Sequence, residues 1–282
     1  MGKDNQIYYH FCDFSICELE NVANRQLYFS PTSSFNDPQD SHLCPNVKEL
    51  LSDPKIRHIL HTIGVDERRF DSFLQQTAFA IDKCIYVSSF AKPDDLDLAT
   101  MWGYYGGKSR GMRIAYDFSH FRPQKGCLDI EKNLTKVNYE RNNLETETNS
   151  NALIIASLGE FLKEKDPKDQ KADKFFVRVP YLLPKVIKNY PDQTRYLLSK
   201  KMSCWKPESE YRLIRILNPR QHQLLKYGNK NFLQEIALGP SASRTQIKLA
   251  QAFCKGIDEK CRVDLSSGEA SAHIVFQRGC CK

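Results

Sequence analysis

The apolar and aromatic run Ile7 to Cys12 has the length and composition of a short strand, whose alternation puts Tyr8 and His10 on one face and Tyr9 on the other. A helix through "ICELENVANRQ" and a second strand, Leu27 to Ser30, follow. "SPTSSFNDPQD" is then dense in residues that favour turns. From about residue 47 to 83 the spacing becomes helical, with Leu50, Leu51, Ile56, Ile59 and Leu60, then Phe70, Phe73, Leu74, Phe79 and Ile81. This predicts a helical insertion capping one end of a sheet.

"CIYVSSFA" returns to strand character, "DLDLATMWGYYGG" reads as a helix capped by Asp95 or Asp97 and stopped at Gly106 and Gly107, and "GMRIAYDF" as a further strand. "LTKVNYE" is another strand. A second helical segment spans about 147–200, interrupted by the charged, linker-like "DPKDQKADK". The stretch "WKPESEYRLIRIL", Trp205 to Leu217, reads as one alternating strand, "FLQEIALGP" as a strand and "RTQIKLAQAFCKGI" as a helix, with one or two short strands after Cys261. Several strands lie too close together for crossover helices. The expected fold is therefore α+β, a single domain over 1–282 with a mixed or antiparallel split sheet.

Composition changes this picture little. The 282 residues are 41% hydrophobic and 27% charged, as in ordinary globular chains. A formal charge of +7, spread along the sequence, suits an acidic ligand and leaves nucleic acid open as a partner. No apolar run is long enough to span a membrane and the N-terminus lacks a signal peptide's regions, so the expected location is the cytoplasm, or a host cell reached without a cleavable signal. Ten cysteines without a C-x-x-C pair read as free thiols. His58 and His61 have no cysteine pair at zinc spacing beside them, so no metal is expected.

The chemistry concentrates in "WKPESEYRLIRIL". On one strand Glu208 and Glu210 would project together from the same face. They form either a solvated strand start paired with Arg212 or Lys206, or a pair of acids with roles. Ser88 and Ser89 alternate, so only one turns into a cleft, and either could simply end a strand. Phe90 and Tyr105 offer flat faces for stacking or fill a core, and Trp102 is a packing anchor. Asn36 and Asp37 cap a turn first and wall a pocket second.

Four stretches, "LYFSPTSSFNDPQD", "CIYVSSFAKPDDLDLATMWGYYGGKSRGMRIAYD", "WKPESEYRLIRIL" and "QEIALGPSAS", together resemble the domain-of-unknown-function family 2971. Their order is also similar to that of ADP-ribosyltransferases, which have a basic residue or His on an early strand, a Ser-bearing strand leading into a helix, and a late Glu-x-Glu. The resemblance implies an NAD-dependent ADP-ribosyltransferase using NAD as co-substrate and no metal. It would modify a macromolecule, with a protein acceptor, as a bacterial toxin or effector does. An NAD glycohydrolase and a non-catalytic transferase-like binding module in a defence system are the alternatives. In this reading Glu210 stabilises the ribose cation and Glu208 orients or deprotonates the acceptor. His10, Ser88, Ser89, Phe90, Tyr105 and Asn36 hold the cofactor, with His10 and one serine at the same cavity as Glu210. Val87-Ser88-Ser89-Phe90 departs from the Ser-Thr-Ser of many such enzymes, and the early basic residue is His10 rather than Arg.

Overall fold

A computed structural model describes residues 6–35, 37, 40–122, 134–140, 144–163, 166, 168–189, 191–217, 223–257, 262–265 and 272–276. The first half of the chain forms β1 (Ile7–Cys12), α1 (Ile16–Ala23), β2 (Gln26–Tyr28), β3 (Ser30–Pro31), α2 (Val47–Ser52), α3 (Pro54–Thr62), α4 (Phe70–Asp82), β4 (Ile85–Ala91), α5 (Leu98–Tyr104) and β5 (Met112–Asp117). The second half forms β6 (Thr135–Lys136), β7 (Asn138–Glu140), α6 (Leu144–Phe161), α7 (Ala172–Asn189), α8 (Pro191–Leu198), β8 (Lys200–Met202), β9 (Glu210–Ile216), β10 (Leu224–Lys226), β11 (Leu233–Leu238), α9 (Arg244–Ile257), β12 (Arg262–Leu265) and β13 (Ala272–Val275). The protein is α+β, as the spacing of its strands predicts.

The main sheet is antiparallel throughout, in the order β12-β13-β11-β5-β1-β4-β9-β6, with β3 also on β4. β1 pairs with β5 at six positions and β4 with β9 at seven. The β1–β4 ladder has the single register pair Tyr9–Ala91. The sheet is therefore two halves joined at one rung. Past that rung β4 takes β3 as its neighbour, through Ser30–Val87 and Pro31–Tyr86, and a gap opens between β1 and β4.

Three apolar clusters stabilise this frame. One face of β5, β11 and β13 packs Met112, Ile114, Ile236 and Ile274 beneath α1 and α9, which contribute Leu19, Val22, Ala250 and Cys254. On the other face Phe11, Ala91, Met101, Trp102 and Ala237 form a small patch under α5, with Trp102 edge-on to Phe11. Trp102 is thus the anchor its helical spacing predicts. Asp97 starts α5, accepting from the backbone N–H groups of Ala99 and Thr100 at 3.0 and 3.3 Å. Gly111 lets the loop after α5 press on the end of β1, because a Cβ there would stand 2.2 Å from the Cys12 carbonyl oxygen.

The third and largest cluster is helical. Residues 47–83 do form helices over the Ile85–Ile216 end of the sheet, but they share one core with α6, α7 and α8. Phe73 packs against Phe175 and Phe176, and Phe161 against Phe175. The insertion and the second helical segment are one lobe, so 47–83 is not a detachable cap. The "DPKDQKADK" stretch is tied into that lobe: Gln170 donates to the Leu162 carbonyl at 3.0 Å and the Ala172 N–H to the Ile63 carbonyl at 2.8 Å. α6 begins at Leu144 and takes in the polar residues before the apolar face. Tertiary hydrogen bonds outweigh composition there: the Cys44 and Asn46 N–H groups donate to Ser150 and Asn151.

Candidate functional site

The gap between β1 and β4 holds a cavity of about 310 Å³, lined by residues of both strands together with Tyr105, Lys201, Glu208 and Glu210. The two acids reach it by different routes. Trp205 to Glu208 lie in a 3-10 turn, Ser209 takes a left-handed conformation (φ 45°, ψ 48°), and β9 starts only at Glu210. Pro207 cannot donate to a sheet ladder, which accounts for the strand not extending back to Trp205. The one-strand geometry expected from the sequence is therefore replaced by a turn and a strand start, and the carboxylates converge on Lys201.

Neither acid is a solvated strand start. Glu208 is 2% exposed and Glu210 6%. Glu208 accepts from the Tyr105 hydroxyl and from Lys201 Nζ, both at 2.6 Å. Glu210 accepts at Oε1 from Ser89 Oγ (2.6 Å) and Arg212 Nε (2.7 Å), and at Oε2 from Arg212 Nη2 (2.9 Å) and Lys201 Nζ (3.2 Å). Two donors per oxygen fill the carboxylate's capacity. Arg212, 1% exposed, forks onto Asp40 through two bonds of 2.7 Å and also donates to Ser41 and to the Leu198 carbonyl. Lys201 lies 3.4 Å from Asp40 as well.

Three carboxylates thus face two cations in a buried cluster, and their surroundings push two of them apart. Burial pushes the Glu208 carboxyl up, and Lys201 and Tyr105 only partly oppose it. Burial also acts upward on Glu210, but the charges of Arg212 and Lys201 and the bonds from Arg212 and Ser89 outweigh it and hold this carboxyl at about 2. Burial works against the Lys201 charge, yet Glu210, Asp40 and Glu208 raise it above the ordinary lysine range. Tyr105, raised chiefly by burial, stays a neutral hydroxyl donor.

Of the two serines, Ser89 faces the acids. It is level with Arg212 across the β4–β9 ladder, on the face that carries Glu210. Ser88, buried and level with Leu213, points the other way. Phe90 is buried on the Ser88 side, edge-on to Tyr116 and Phe118 at 5.9 and 5.0 Å. It is a core residue whose edge also borders the cavity. Tyr105 reaches the site through its hydroxyl. Asn36 lies outside the described residues; its neighbour Asp37 accepts from Trp205 Nε1 at 2.9 Å, and Asp40 takes the Arg212 fork, so both acids are fixed to the site.

His10 and Glu210 both line the cavity, although the register sets them on opposite faces of the sheet. Glu210 is level with Ala91 and thereby with Tyr9, while His10 is one residue along β1, level with Ile114, and lies 5.8 Å from Phe90. They share a cavity because the strands part beyond Tyr9–Ala91. His10 Nδ1 is 2.8 Å from the Ser89 carbonyl oxygen.

Lys201, Arg212 and Asp40 are the members of the cluster that motif reading passed over as site residues. Arg212 carries a usable signal, because it shares with Glu210 a strand face that is otherwise apolar, Ile214 and Ile216, and a charge on a buried face needs a partner. Lys201 and Asp40 lie in polar stretches that give no such hint.

The fold and site describe an α+β protein with a buried ionic cluster at the split of an antiparallel sheet. Residues 101–213 match the family model described as "Protein of unknown function (DUF2971)", the family that the chain resembles. That stretch contains Tyr105, Lys201, Glu208, Glu210 and Arg212, while Asp40 and Ser89 precede it. No curated protein and no solved structure matches the chain.

Proposed function

We propose that the cavity binds NAD and that the protein is an NAD-dependent ADP-ribosyltransferase acting on a macromolecule, with a protein side chain as acceptor. The observation that carries this reading is the pair of buried acids at one cavity, one held ionised and the other held ready to take a proton. Environments that separate two carboxyls in this way assign them different roles in glycosyl chemistry.

As the bond from ribose to nicotinamide breaks, its electron pair leaves with nicotinamide and positive charge develops on the ribose. A fixed anion beside that charge lowers the barrier. With all four acceptor sites of Glu210 occupied, Ser89 is the contact to the sugar: its hydroxyl donates a hydrogen bond to Glu210, and its oxygen accepts one from a ribose hydroxyl. Lys201 and Arg212 keep Glu210 ionised, and the cluster retains one net negative charge when Glu208 is ionised. Glu208 then takes the proton of the acceptor as its nucleophile bonds to the ribose carbon. In this reading the ribose lies on the Glu210 side of the cavity, and His10 lines the other side with Nδ1 on the Ser89 carbonyl.

The saturation of Glu210 also supports a second reading, a binding module without catalysis in which the cluster only holds the fold. NAD-dependent melting separates cavity occupancy from nonspecific effects. Under the first reading NAD at about 100 times its Kd stabilises the protein by about 2.7 kcal/mol, and Tyr105→Ala reduces the shift. Absence of any shift at millimolar NAD would sink the NAD assignment.

Protonation gives a further expected result. Transfer should fall on the acid side with a midpoint above the ordinary glutamate range, because Glu208 works ionised and its carboxyl is raised. Glu208→Gln should abolish that limb and lower transfer more than nicotinamide release. A profile that is unchanged in Glu208→Gln would remove the base role.

A further inference from the structure

We propose that His10, Cys12 and Glu18 form a site for a zinc-class divalent metal ion at the β1 side of the cavity. One potential ligand atom from each of the three side chains lies within 4.8 Å of the other two. Bonds of about 2.0–2.3 Å in a tetrahedral zinc site set ligand atoms about 3–4 Å apart, so modest side-chain rotation closes the set. Imidazole, thiolate and carboxylate together are a donor set that suits zinc better than magnesium or calcium.

The way the chain positions these groups is independent support. His10 and Cys12 are two residues apart on β1 and therefore share a face. Nδ1 of His10, donating to the Ser89 carbonyl at 2.8 Å, leaves Nε2 with a free lone pair. A backbone carbonyl on the far ring nitrogen is the arrangement that orients metal-binding histidines. Glu18 comes from the first turn of α1, where Ser15-Ile16-Cys17-Glu18 has the spacing of a capping box. Ser15 Oγ does accept from the Glu18 N–H at 3.1 Å, but the Glu18 carboxylate has Asn21 Nδ2 as its partner, at 3.4 Å, and stands beside His10 and Cys12. All three side chains border the cavity, so the fourth position of a tetrahedral ion opens into it. Motif reading misses the set because no two of its members have zinc-finger spacing; the turn from β1 into α1 brings the third ligand in.

The proposal does not rest on NAD, and the experiment omits it. Metal-free protein is titrated with Co²⁺ and then with Zn²⁺ against a chromophoric chelator. One equivalent of Co²⁺ should give thiolate-to-cobalt charge-transfer absorption that Zn²⁺ removes. Cys12→Ser should lose that absorption, and Glu18→Gln should weaken zinc binding by at least about 100-fold, the upper end of what outer partners of a metal site cost. Cys17→Ser, an exposed thiol on α1, should leave both unchanged. A wild-type protein without the charge-transfer band, or a band that survives in Cys12→Ser, overturns the site. If Cys12→Ser does not fold, the wild-type spectrum and the Cys17→Ser control still decide: loss of the band in Cys17→Ser would place the metal elsewhere.

Discussion

Glu210→Gln should abolish both nicotinamide release and transfer, by on the order of 100-fold or more, the scale of deleting one electrostatic transition-state contact. The substitution keeps the size of the side chain and removes the charge. It should also destabilise the protein, since the carboxylate is buried and accepts from Arg212, Lys201 and Ser89. Removing one partner of a buried ion pair costs about 3–5 kcal/mol, which for a chain of this size lowers Tm by roughly 5–9 °C. An open cleft would have made the change nearly silent in stability. Activity is therefore compared well below the variant's Tm, and full activity there would return Glu210 to a structural role.

Arg212→Leu should give the largest loss of stability among single changes in the cluster. Arg212 links Asp40, β9 and the end of α8, through the Asp40 and Glu210 carboxylates and the Leu198 carbonyl. Without it, Lys201 is the remaining cation of the cluster against Asp40, Glu208 and Glu210. The expected cost is at least about 3–5 kcal/mol by urea unfolding. Acid unfolding should shift as well. In the wild type Glu210 is depressed, so its contribution is fully present above the unfolded glutamate value and is lost progressively from there as pH falls through about 2. In Arg212→Leu that contribution should be smaller and its loss complete at higher pH, which moves the acid midpoint up. A variant with wild-type urea and acid midpoints would mean that the network contributes nothing.

The sequence carries the strands and helices well where periodicity is strong. β1, β4 and β5 fall where their apolar runs lie, and α5 starts at Asp97 because a side-chain cap is a local signal. What is not local is harder to read. Residues 47–83 and the later helices have helical spacing separately, yet nothing in either stretch says that they share Phe73, Phe161 and Phe175 in one core. The site shows the same division. Ser89, Glu208 and Glu210 are legible as motif residues, and the structure brings them together with Tyr105. The separation of the two acids by Pro207 and a left-handed Ser209 is backbone detail that alternation alone does not reveal. Lys201 and Asp40 join through pairing across the fold.

The most direct test of the transferase account uses NAD labelled separately in its adenine and nicotinamide portions, incubated with the purified protein and a cell lysate. Nicotinamide release should be matched by adenine label on a macromolecule, identified by mass spectrometry as a modified protein side chain and absent with Glu210→Gln. Release without macromolecular label would make the protein an NAD glycohydrolase. Neither release nor label, from protein that NAD does not stabilise, would contradict the account outright.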